Sequence, residues 1–101
     1  MAQEQSAIRE RQNTNLKEPR RYKVTMFNDD FTPMDFVVMG LTSIFNKNQA
    51  DAEQIMLDIH HKGKAVVGIY SLDIAQTKVE KTTKLARQSN YPLKVIYAPE
   101  N

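Results

Sequence analysis

The chain has 101 residues, enough for one domain, with no Cys and a formal charge of +2. The missing Cys excludes disulfide frameworks, thiolate zinc sites and a cysteine nucleophile. No stretch approaches the ~20 apolar residues of a membrane span, and the polar N-terminus lacks an apolar secretory segment, so a small cytoplasmic protein is expected.

The charge is unevenly placed. Residues 1–23 hold six basic and three acidic groups, a local +3, and residues 24–101 hold eight basic and nine acidic groups, a local −1. Residues 1–21 contain only Met1, Ile8 and Leu16 as large apolar groups. Such a segment cannot offset its ordering entropy by burial, so it reads as a flexible arm before a domain over 22–101.

From Tyr22 the pattern becomes structured. Tyr22, Val24 and Met26 alternate with Lys23, Thr25 and Phe27, the period of a strand, and Asn28-Asp29-Asp30 ends it. Thr32, Pro33 and Asp35 spell a helix start, with the Thr32 hydroxyl as cap and Asp35 reaching back. Met34, Val37, Val38, Leu41 and Phe45 share one face of that helix, and Gly40 weakens it by ~1 kcal/mol unless something packs closely there. Asn48 and Asp51 open a second helix with a stripe of Ala52, Ile55, Met56 and Ile59, closed by Gly63. Ala65–Tyr70 is a second strand. Ser71 caps a third helix that ends by Asn90 and Pro92, and Leu93–Tyr97 is the last strand. The order strand, helix, helix, strand, helix, strand predicts an α+β fold, a small three-stranded antiparallel sheet packed by three helices.

Three features carry possible chemistry. Asn28-Asp29-Asp30 lies in a stretch, 24–46, that has three carboxylates and no basic residue. It reads either as turn and capping chemistry or as a site for a metal or ammonium cation. His60-His61 ends the second helix, where a protonated His is favoured anyway, and His60 borders the apolar stripe. Lys78, Lys81, Lys84 and Arg87 fan around the third helix and read mostly as a solvated face. No metalloprotease helix motif, nucleophile elbow or phosphate loop is present, so an enzyme is not expected, nor a cofactor. No aromatic interleaving suggests nucleic-acid binding.

The run from Tyr22 to Val37 through Asn28-Asp29-Asp30-Phe31-Thr32-Pro33-Met34, then Ile59-His60 with Lys62-Gly63-Lys64-Ala65, closely resembles the ClpS adaptor family. Ala75 to Val79 and Ala86-Arg87 leading to Pro92-Leu93 extend the likeness over about residues 22–97. The resemblance implies a non-enzymatic, monomeric adaptor. It would bind substrate proteins with destabilising N-terminal residues (Phe, Leu, Tyr, Trp) and pass them to a ClpA-type or ClpC-type AAA+ unfoldase partnered with ClpP. Asn28, Asp29 and His60 would then accept from the substrate's α-ammonium, so protonating His60 would weaken binding. Thr32, Met34, Val37, Met39, Met56, Ile59 and Leu93 would line the side-chain pocket, with Met34 as gate. Asp30 and Asp35 would brace the loop and helix start. Asp73 and Lys78 would face the unfoldase, and residues 1–21 would serve handover. Gln76 stands where the family commonly has Glu and removes a charge near that face. Two other readings stay open: a docking module like the C-terminal domain of the ribosomal stalk protein, and a metal-dependent hydrolase using Asp29, Asp30 and His60.

Overall fold

The computed structural model describes residues 20–101. The arm expected over 1–21 lies outside them, apart from Arg20 and Arg21. The elements follow the expected order: β1 (Tyr22–Phe27), α1 (Met34–Ser43), α2 (Gln49–Lys62), β2 (Lys64–Tyr70), α3 (Leu72–Gln88) and β3 (Lys94–Pro99). The domain's backbone pairing starts at Arg21, whose carbonyl accepts from the Glu100 amide at 2.8 Å.

β1 is the middle strand. The sheet order is β2-β1-β3 and both pairings are antiparallel. The alternation in β1 sends Val24 and Met26 fully inward, where Met26 sits between Ala65 and Val95. The register shifts between Val24, opposite Gly68, and Thr25, opposite Val66, so Val67 is the extra residue of a bulge and is itself buried. Gly68 is required there: a Cβ at this position would collide with the Tyr70 ring lying over it.

All three helices cover one face of the sheet. Phe36, Val37, Leu41 and Phe45 from α1 and its end meet Ala52 and Ile59 of α2, Ala75 and Ala86 of α3, and the inner strand residues in one core. Phe36 stacks edge-on against Tyr91 with ring centroids 4.9 Å apart. The stripe expected on α1 is thus displaced. Phe36 is buried, whereas Met34 is 46% exposed. The opposite sheet face carries Lys23, Phe27, Lys64, Val66, Lys94 and Ile96 and is open.

The helix ends separate good sequence signals from misread ones. Asn48 caps α2 as expected, its Oδ1 accepting from the Asp51 amide at 2.8 Å, and Gly63 closes it at φ 90°. α1 does not start as expected. Its N-cap is Pro33, no side chain caps it, and the Thr32 hydroxyl donates to Asp29 instead. Ser71 occupies the N-cap of α3, but its hydroxyl donates to Asp73 Oδ1 at 2.9 Å rather than accepting from the backbone. Competing side-chain acceptors two or three residues away account for both departures.

Candidate functional site

The loop between β1 and α1 is organised by Asp29. Its Oδ1 accepts from the amides of Phe31 at 2.8 Å and Thr32 at 2.7 Å, and its Oδ2 accepts from the Thr32 hydroxyl at 2.8 Å. Partial burial pushes the carboxyl's pKa up, but the bonds from Thr32 and Phe31, with the Arg87 charge nearby, outweigh it and hold the pKa below the usual range. Asp29 is therefore an ionised group. A carboxylate offers about four lone-pair positions and, among the described residues, three are used, leaving one on Oδ2 for a further donor. The bracing expected of Asp30 and Asp35 falls to Asp29. Among the described residues, neither of the other two carboxylates takes part in a hydrogen bond or ion pair, and both are exposed.

Asn28 and His60 come from distant parts of the chain, and one backbone bond ties Asn28 to the cap of the helix that carries His60. The Asn28 amide donates to the Gly63 carbonyl at 2.9 Å, and the Gly63 amide donates to the Ile59 carbonyl at 2.9 Å, closing the last turn of α2, which holds His60. The His60 and His61 rings meet edge to face at 5.2 Å, and both residues are exposed. Asp29, Asp30 and His60 do not form a metal-holding group; among the described residues no three His, Cys, Asp or Glu side chains do.

The pocket residues divide into two sets. Met34, Met39 and Met56 line an open groove of about 660 Å³ between α1 and α2. Val37, Ile59 and Leu93 are core side chains beneath, 7%, 2% and 1% exposed, and Thr32 is in the loop. Sequence reasoning missed the rest of the groove's lining, which includes Thr42 of α1 and Glu53 and Leu57 of α2. Leu57 carried a usable signal, being an apolar residue on α2 outside the buried stripe, and it is 40% exposed.

A second hollow, of about 390 Å³, lies between the end of α1 and α3 and includes Asp73, Lys78 and Lys81. Lys78 is turned inward. Its Nζ donates to the Ile44 carbonyl at 2.6 Å and lies 5.7 Å and 5.4 Å from the Phe45 and Tyr70 ring centres. Arg87 is exposed but also tied to the backbone, donating to the carbonyls of Tyr91 at 2.7 Å and Leu93 at 3.0 Å. Lys81, Lys84 and Arg87 are exposed as expected, and Lys78 alone of the four is half-buried. Gln76 has a structural partner: its Nε2 donates to the Tyr97 hydroxyl at 3.0 Å.

Residues 17–96 match the family model described as ATP-dependent Clp protease adaptor protein ClpS. The chain belongs to the ClpS family. The ClpS adapter protein of Acetivibrio thermocellus is 45% identical over 97 residues, which are 96% of this chain and 98% of that protein. The ClpS of Paraburkholderia xenovorans is 49% identical over 89 residues, 88% of this chain and 86% of that one. Among solved structures, Agrobacterium tumefaciens ClpS2 bound to L-phenylalaninamide has a TM-score of 0.79 and 36% identity, covering 82% of this chain and all of that one. The α+β fold is the ClpS fold, and ClpS membership makes this chain an adaptor of an ATP-dependent Clp protease. Among the described residues no helix is long and apolar enough to cross a membrane.

Proposed function

We propose that this adaptor binds the free α-amino end and first side chain of substrates that begin with Phe, Leu, Tyr or Trp, and delivers them to the ClpA-type unfoldase of a ClpAP protease. The observation that carries the proposal is Asp29. It is an ionised carboxylate fixed by its own loop, with one acceptor position unused and a Met-lined groove starting five residues on at Met34. A primary ammonium has three donors and no acceptor, so it complements Asp29 together with the Asn28 carbonyl and a neutral His60. Burying the first side chain contributes roughly 1.5–3 kcal/mol. The ligand of the Agrobacterium relative, L-phenylalaninamide, combines a free amine with a benzyl side chain. Handover would use residues 1–21 and the face around Asp73 and Lys78, in a monomer acting in the cytoplasm.

Peptides differing only at their first residue test this. Phe-, Leu-, Tyr- and Trp-initiated peptides should bind. Acetylating the amine should weaken binding by at least tenfold, since each buried acceptor left unpaired costs ~1–3 kcal/mol. Equal affinity for the acetylated peptide would end the proposal. His60→Ala should weaken binding as acetylation does; a harmless His60→Ala would remove that residue from the site. Adding a ClpA-type unfoldase with ClpP should speed degradation of a Phe-initiated substrate.

A further inference from the structure

The open sheet face has a composition that the adaptor reading does not use. The three strands contain Lys23, Lys64 and Lys94 and no Asp or Glu. All three lysines point to this face, because each alternates with residues of the buried side. The cross-strand register sorts the face into rows. Lys64 and Lys94 flank Phe27 directly, their ammonium groups 5.8 Å and 5.0 Å from the ring centre. The next row sets Val66 and Ile96, 48% and 40% exposed, on either side of Thr25. The third centres on Lys23, with Ile69 and Ala98 beside it. A hollow of about 370 Å³ is lined by Lys23, Thr25, Phe27, Lys64, Val66 and Ile96, with Lys94 outside it.

We infer that this face is a docking surface for an acidic protein segment presenting carboxylate, apolar side chain and carboxylate in turn. Rows two residues apart lie about 7 Å apart, and an extended segment repeats its side chains at that same spacing. An acidic residue, an aliphatic residue and a second acidic residue at alternate positions would therefore meet the Lys64–Lys94 row, the Val66–Ile96 row and Lys23 together. The charge complementarity is one-sided, since among the described residues the strands bring no carboxylate to these rows, and Glu100, at the end of the face, is ion-paired with Arg21 at 3.5 Å. The same arrangement disfavours nucleic acid. Among the described residues Phe27 is the only aromatic side chain on the face, and the two lysines lie over its ring where a base would have to stack. The middle row offers a phosphate backbone no charge, only the Thr25 hydroxyl between two aliphatic side chains.

The probe is a nonapeptide, Ac-Gly-Ser-Asp-Ser-Ile-Ser-Asp-Ser-Gly-NH2, added to the full chain while backbone amide NMR signals are followed. Its blocked amine keeps it out of the site around Asp29. Saturating shifts are expected at Lys23, Phe27, Val66 and Ile96. The Lys64→Gln/Lys94→Gln double variant should bind at least about fivefold more weakly, as should wild type at high salt. Val66→Ser/Ile96→Ser, which keeps every charge, should also weaken binding. Both variants should bind a Phe-initiated peptide as wild type does. Shifts that appear only elsewhere, or undiminished binding by the double lysine variant, would overturn the inference. So would tighter binding of a short oligo-deoxythymidylate than of the acidic peptide.

Discussion

Asp29 both builds its loop and remains ionised, and the two roles predict one pH signature. Its folded pKa is depressed, so as pH falls the unfolded chain takes up this proton first. The stability it contributes is complete above the ordinary carboxylate range and is lost as pH falls through the folded pKa. Asp29→Ala leaves the Phe31 and Thr32 amides and the Thr32 hydroxyl without their acceptor. It should lower stability by about 1 kcal/mol at neutral pH, and denaturant unfolding should show the gap to wild type closing in acid. A gap equal at neutral and strongly acid pH would remove this role. The Asn-Asp-Asp run marked the loop in the sequence but not which carboxylate organises it, because Asx-turn geometry depends on backbone angles and not on spacing. Lys78 shows the same limit more sharply. By spacing it belongs to a solvated face, yet its partner is a carbonyl 34 residues away. Lys78→Met should lower the unfolding free energy by about 2 kcal/mol, from a lost charge-assisted bond and two lost cation–aromatic contacts. A change within experimental error would return Lys78 to the surface.

At the scale of elements, sequence signals succeeded where they were local and uncontested. Asn48 and Gly63 bound α2 as read, since nothing nearby competes for the groups they use. The start of α1 was misread because Thr32 has a stronger acceptor, Asp29, three residues back. The two strand and helix glycines pose the converse question of what a missing side chain is for. Gly68 is explained by the Tyr70 ring. Gly40 is not: it is buried in the middle of α1, but a Cβ there would meet nothing within 4 Å. Its helical backbone needs no glycine. Gly40→Ala should therefore stabilise the protein by roughly 0.5–1 kcal/mol, through a smaller loss of backbone entropy on folding. Gly68→Ala should destabilise it, because the Tyr70 ring must swing away. Urea midpoints measured side by side check both, and a destabilised Gly40→Ala would mean that α1 packs more tightly than its surroundings show.

For the whole molecule, the sequence showed one apolar set where the structure has two jobs. Periodicity placed Met34, Val37, Met56 and Ile59 on buried stripes alike, and the resemblance added Leu93 to the same pocket, because a hydrophobic repeat cannot tell a core from a groove cut into its edge. Three-dimensional packing makes the division: Leu93 is 1% exposed at the entry to β3, its carbonyl held by Arg87, while Met34 stands 46% exposed at the groove. In a domain of this size the total stability is only about 5–10 kcal/mol, so the two residues should fail in different ways. Leu93→Ala opens a cavity in the core shared by the sheet and α3, and should lower the unfolding free energy by about 2–5 kcal/mol. Met34→Ala removes little buried area and should leave the urea midpoint nearly unchanged. Its effect should instead be on selection, widening the groove so that peptides beginning with β-branched Ile or Val gain affinity relative to those beginning with Leu. Peptide titrations at a temperature where both variants remain folded, run beside urea unfolding, resolve the two behaviours. If Met34→Ala lost stability as Leu93→Ala does, with first-residue preferences unaltered, the groove would be part of the core and not the place where the first side chain is read.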